Sequence, residues 1–175
     1  MTNETLSTLK ERRSIRKFKS EQITREELDA VLEAGMYAPT GRNRQSPLMI
    51  VVQDSDMREK ISKINAKIMG QPGVDPFYGA PAVLVVLSRK EAHTYVYDGS
   101  LTLGNMMLAA HALGLGSCWI HRARETFENP KWKSWLKEIG IDGDLEGIGN
   151  LVVGYPTEQV PDPKPIKPNR VFYVK

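Results

Sequence analysis

A chain of 175 residues with 41% hydrophobic and 26% charged side chains has the balance of one globular domain, which excludes a disordered or fibrous protein. One cysteine excludes an internal disulfide and any cysteine-based metal cage, and no apolar run approaches the roughly 18 residues of a membrane helix. The 24 basic and 21 acidic residues leave a net charge of +3, too mild to imply nucleic acid by itself.

Leu6 and Leu9 predict a short first helix that runs into Arg12-Arg13. Thr24 and Glu27 have the spacing of a capping box, and Leu28, Val31 and Leu32 give the following helix one apolar face that ends before Pro39. Leu48 to Val52, compact and rich in β-branched residues, predicts a buried strand. Asp54 or Ser55 caps a helix carrying Ile61, Ile64 and Ile68, and Gly70 stops it. Pro81 precedes Ala82 to Leu87, the clearest buried strand of the chain. Tyr95 to Leu113 is apolar on nearly all sides and predicts a helix through the centre of the molecule, ended by Gly114 and Gly116. Ser117 to Ile120 and Ile148 to Val153 predict two more strands, with one amphipathic helix, Glu125 to Glu138, between them. Strands alternating with helices argue for an α/β or α+β sandwich.

The placement of charge says more than its sum. Lys10 to Lys19 holds six basic residues against one acidic, and residues 160–175 add Lys164, Lys167, Arg170 and Lys175 against Asp162. Two solvated surfaces are the plain explanation; the sharper one is that the fold brings both ends to a single anion such as a phosphate. The tail also holds Pro156, Pro161, Pro163, Pro165 and Pro168, which rule out a helix or a central strand. It ends in the apolar, alternating Val171-Phe172-Tyr173-Val174, which calls for burial, as an edge strand or against a partner subunit. An extended stretch of about 20 residues reaches roughly 65 Å, which suits an arm that wraps a partner.

Neither a dinucleotide fingerprint, a phosphate loop nor a nucleophile elbow is present. Cys118 lies in an apolar strand pattern and reads as a core residue, whereas His121 follows that strand, where ligands often bind. His93 and His111 are scattered, so no metal centre is expected. The strongest local signal is Arg12-Arg13-Ser14-Ile15-Arg16-Lys17-Phe18. Arginines beside a hydroxyl offer bidentate donors to a phosphate and its polyol. In an extended stretch Ser14 and Arg16, two apart, share one face.

That segment resembles the amino-terminal motif of the nitroreductase family, flavoenzymes that hold FMN at a homodimer interface. Ala38-Pro39-Thr40-Gly41-Arg42-Asn43-Arg44-Gln45 resembles the family's second motif, Gly114 to Ile120 the strand beneath the flavin ring, and Gly154-Tyr155-Pro156 with the tail its closing segment. The four occur in the family's order and spacing. The resemblance implies an α+β fold with a central mixed, mostly antiparallel sheet flanked by helices. Residues 1–154 would form the FMN-binding domain and 155–175 an extended arm reaching the partner subunit. It implies Arg12 at the FMN phosphate, Arg13 and Ser14 at the phosphate or the ribityl and ring edge, and Arg16 at the pyrimidine edge. Pro39, Thr40, Gly41 and Asn43 would reach the flavin from the other subunit, with Gln45 beside them. Asn65 would be a ring-contacting amide, and Ile120 and His121 would bring backbone donors near N5. Lys167 and Arg170, with Lys164 as the alternative, would complete the phosphate site.

Two departures stand out. Gln45 is followed by Ser46-Pro47-Leu48, without the family's aromatic residue. The helical excursion over the flavin is cut to Gln71 to Ala80, a short loop that places Phe77 and Tyr78 near the pocket. The activity implied is hydride transfer from NADH or NADPH to FMN and onward to a small acceptor such as a quinone or nitroaromatic, in ping-pong order, with no catalytic side chain. The chain, dense in charge over its first 30 residues, is expected in the cytoplasm, with neither membrane nor nucleic acid as partner. A non-catalytic FMN-binding protein keeps the same contacts and is the alternative; a nucleic-acid-binding module using the basic segment is a distant third.

Overall fold

The computed structural model describes all 175 residues. The capping box closes as its spacing predicts: Thr24 N donates to Glu27 Oε2 at 2.8 Å and Glu27 N to Thr24 Oγ1 at 3.2 Å, which starts helix α2 (Arg25–Met36). Helix α1 (Glu4–Glu11) precedes it, capped by Asn3. Strand β1 (Pro47–Val52) leads to α3 (Ser55–Ile68), started by the Asp54 carboxylate on Met57 N. Then follow β2 (Ala82–Arg89), α4 (Tyr95–Ala112), β3 (Gly116–Ile120), α5 (Ala123–Glu128), α6 (Pro130–Glu138) and β4 (Leu145–Gly154).

The four strands form one sheet in the order β1-β2-β4-β3, every neighbouring pair antiparallel. The sheet itself is antiparallel throughout; the one parallel pairing is an isolated bridge from Ser14, outside the named strands, to Ser117 of β3. Strand β2 is buried on both faces, because Val83, Val85 and Leu87 join one core and Leu84 and Val86 the other. The first core packs against α3, α5 and α6 through Ile61, Phe127, Trp132 and Leu136. The second packs against α2 and α4 through Leu28, Val31, Leu103 and Met106. Each such side chain contributes about 1.5–3 kcal/mol by leaving water.

The structure departs from the sequence pattern in three places. The helix expected over Glu125 to Glu138 is two, since Pro130 has no N–H to continue α5 and Asn129 before it is extended, φ -67° and ψ 131°. Strand β4 begins three residues earlier than its apolar run and carries a bulge, its partner on β2 jumping from Gly149 opposite Val86 to Gly147 opposite Leu87. The tail forms no edge strand within one chain: Phe172 and Tyr173 are 82% and 86% exposed.

Candidate functional site

The basic segment is fixed by backbone pairing. Ile15 N donates to Ser117 O at 3.0 Å and Lys19 N to Tyr155 O at 2.9 Å, while Thr157 N donates back to Lys17 O at 3.2 Å. The segment therefore runs from the start of β3 to the residues just after β4. Ile15 turns inward against Gly116, where a Cβ would lie 2.9 Å from it, so Ser14 and Arg16 turn outward together. Arg13 folds back onto the end of α1, its Nη1 donating to Lys10 O and Arg12 O at 2.7 Å each. Arg12 differs. Its Nη1 is buried without any hydrogen-bond partner, and neither Arg12 nor Arg16 is in an ion pair. A buried guanidinium nitrogen left alone is costly, and an anion is what would satisfy it.

At the end of β3 the chain turns through His121 and Arg122, the latter in the left-handed region at φ 80°. Neither residue's N–H has a partner within the protein. The carbonyls of the turn are held: Asn150 Nδ2 donates to His121 O at 3.2 Å and lies 3.5 Å from Ile120 O. Gly147 fixes the other side, since a Cβ there would lie 2.2 Å from Ala123 O. Ile120 itself is in the core, and the exposed His121 ring lies 5.9 Å from that of Trp119.

Asn65 does a different job from the one expected of it. It is fully buried at 0% exposure, donates to Ile61 O at 3.0 Å and Thr126 Oγ1 at 3.2 Å, and accepts from Asn150 at 3.3 Å. No surface remains for a ring to touch. The two amides instead join α3, α5 and β4 behind the His121 turn. Asn150, 85 residues away in sequence, was invisible as its partner; an amide within the otherwise apolar run of β4 is the signal that could have found it.

The second motif is a surface loop with strained backbone. Arg42, Asn43 and Gln45 have φ of 55°, 52° and 48°. Thr40 Oγ1 accepts from Gln45 N at 3.1 Å, Asn43 Oδ1 accepts from Gln45 Nε2 at 3.2 Å, and Pro39 is exposed. The anchor is Asp98 on α4, 2% exposed, which accepts from Gly41 N and Thr94 Oγ1 at 3.0 Å each and from Ser46 Oγ at 2.9 Å. A Cβ on Gly41 would lie 2.2 Å from Thr94 Oγ1, so only glycine fits there. Sequence reasoning missed Asp98, although one acid in an apolar helix is the mark of a buried anchor.

The loop between α3 and β2 is built around Asp75. Its carboxylate accepts from Arg58, from Ser62 Oγ at 2.6 Å, and from Phe77 N and Gly79 N at 3.0 and 2.8 Å. Burial pushes the Asp75 carboxyl up, but these donors outweigh it and hold it below the usual carboxylate range. Phe77 is a core residue, not a pocket wall, while Tyr78 stays at the surface. Beyond Glu158, which pairs with Lys17 at 2.9 Å, the tail makes no hydrogen bond or ion pair, so Lys164, Lys167 and Arg170 are not tied to Arg12 within one chain.

The model of the nitroreductase family matches residues 9–155, a span that includes the first two motifs and both core faces. The chain belongs to the nitroreductase family. Among relatives, it is 33% identical over 162 residues to an Archaeoglobus fulgidus protein to which NADH dehydrogenase/NAD(P)H nitroreductase activity is assigned by name only, covering 89% of this chain and 87% of that one. It is 27% identical over 179 residues to the FMN reductase [NAD(P)H] of Bacillus subtilis, covering 90% and 68%. Among solved structures, a family nitroreductase with bound FMN from Bacteroides fragilis superposes with a TM-score of 0.89 at 27% identity, covering 99% of this chain and all of that one. Another with bound FMN, from Desulfitobacterium hafniense, gives 0.87 at 26% identity with full coverage of both. The α+β fold with its antiparallel sheet is the fold of these family structures.

Proposed function

We propose that the protein is an FMN-dependent NAD(P)H oxidoreductase whose acceptor is a nitroaromatic, quinone or similar small molecule. The observation that carries this is the buried, unpartnered Nη1 of Arg12, in a family chain that also leaves the His121 and Arg122 N–H groups free. The donor set fits FMN: a guanidinium without a counterion suits a phosphate, and free backbone donors suit an acceptor atom on a ring. When bound, FMN would supply the redox chemistry that carries a hydride from NAD(P)H onward to the acceptor in ping-pong order. Arg12, with Ser14, binds the phosphate end. Arg16 places a fixed positive charge where negative charge develops on reduction. The His121–Arg122 turn, braced by Asn150 and Gly147, presents its N–H groups to the ring. The loop from Pro39 to Gln45 serves the site of a second copy of the chain, and residues 155–175 act as an arm that brings Lys167 or Arg170 to the partner's phosphate site. Exposed Met36, Tyr37, Tyr97 and Leu101 on and after α2 and on α4 offer apolar surface for that homodimer. No helix is long and apolar enough to cross a membrane, and the cytoplasm, where NAD(P)H is supplied, is the proposed location.

The purified protein is expected to be yellow, absorbing at about 450 nm, and to consume NAD(P)H with menadione or a nitrofuran. A colourless protein whose spectrum does not respond to FMN would overturn the cofactor assignment. Bound flavin without turnover would leave a flavin store. A sedimentation mass of one chain would remove the shared site.

A further inference from the structure

We infer that Tyr78, on the short loop between α3 and β2, is a positioning residue that holds the Arg16 guanidinium in place; this rests on the role proposed for Arg16 above. Arg16 Cζ lies 5.8 Å from the centre of the Tyr78 ring, within reach of cation–π attraction. Arg16 is exposed and pairs with no carboxylate, so the ring is its only charged or aromatic partner within the chain. Tyr78 sits at φ 54°, a conformation that bulky side chains disfavour. Such a residue persists where its surroundings over-determine it. Asp75 does so by gripping the backbone on both sides, through Phe77 N at 3.0 Å and Gly79 N at 2.8 Å. Arg58 reinforces the grip from below: it bonds Asp75 and Ala80 O and lies 5.7 Å from the ring of buried Phe77. Phe77 therefore goes into the core and Tyr78, 38% exposed, is turned out toward Arg16. The short loop, which has lost the reach of a longer lid, thus still touches the site at one point. A cation already ordered beside developing negative charge stabilises it more than one that must be ordered during reduction.

The test compares the wild type with Tyr78→Gly and Tyr78→Phe by FMN titration, midpoint potential and thermal unfolding. Glycine suits φ 54°, so a purely structural Tyr78 predicts a Tyr78→Gly protein of equal or higher Tm and unchanged potential. Positioning predicts the same Tm behaviour but reduced FMN bound about fivefold more weakly relative to oxidised FMN. At ~30 mV per tenfold for a two-electron couple, that lowers the midpoint by about 20 mV. Tyr78→Phe keeps the ring and is expected to match the wild type. If Tyr78→Gly keeps the wild-type potential while Arg16→Ala lowers it, the positioning role fails and the cofactor assignment stands. If Tyr78→Phe falls as far as Tyr78→Gly, the hydroxyl and not the ring acts, and the inference is overturned. A protein that takes up no FMN overturns both.

Discussion

The segment Arg12 to Phe18 and the loop Thr40 to Gln45 are held in place by opposite means. The first lies against the sheet: Ile15 pairs with Ser117, its side chain fills the space over Gly116, and its neighbours carry charges that the protein leaves unpaired. The second has no strand to lean on. Three of its residues are left-handed, and one buried carboxylate, Asp98, gathers Gly41, Ser46 and Thr94. Its strain, of order 1 kcal/mol or more per bulky left-handed residue, persists only while that carboxylate holds. A ligand site built on the first rests on backbone pairing, which most side-chain substitutions leave intact; one built on the second is hostage to a side chain 57 positions away.

Asp98→Ala is the sharpest way to break this contrast. It strips three donors of their acceptor in the interior and is expected to destabilise the protein by about 3 kcal/mol, lowering Tm by roughly 6–12 °C. Fluorescence-monitored thermal unfolding checks it, and a loss under 1 °C would show that Asp98 is not the anchor. Arg12→Ala should do the reverse. Removing a half-buried cation whose Nη1 is buried and unpartnered leaves Tm unchanged or raises it, while FMN affinity falls by about tenfold to a hundredfold, as expected for a lost charge-assisted bond. A lower Tm with unaltered FMN binding would make Arg12 a structural residue. The smallest effect separates neighbours within the first segment. Lys17 is 70% exposed at its side chain and engaged by Glu158, so Lys17→Ala should alter FMN binding by less than about twofold. Arg16→Ala should alter it several-fold more; equal effects in a titration would sink the assignment of Arg16.

The sequence revealed what depended on nearby residues. The Thr24–Glu27 cap, the double-sided apolar run of β2 and the outward pair Ser14 and Arg16 all follow from spacings of a few positions, and the structure holds each. The four motif segments were legible because their order survives in one chain. What escaped is what joins distant positions. The family resemblance made Asn65 a ring-contacting amide, and nothing in its helix announces that Asn150 and Thr126 occupy that amide. Asp98, a single acid within an apolar helix, went unread. The tail's apolar end called for burial, yet one chain provides no cover for it. The break at Asn129 could have been read, since Pro130 stands in plain view within the expected helix.

The hydrogen bond from Ile15 N to Ser117 O gives one backbone amide an unusual vantage. The amides of β2 are enclosed by strands on both sides and helices on both faces, so their protons exchange with solvent only when the whole molecule opens. Ile15 N lies instead on a single pairing at the margin, next to Ser14 and Arg16, and its proton exchanges whenever that margin lifts. A ligand spanning Arg12 to Arg16 closes the margin without touching β2. The exchange rate of that one proton, with the amides of Val83 to Leu87 as the internal clock, therefore reports occupancy of the site, independent of colour or turnover.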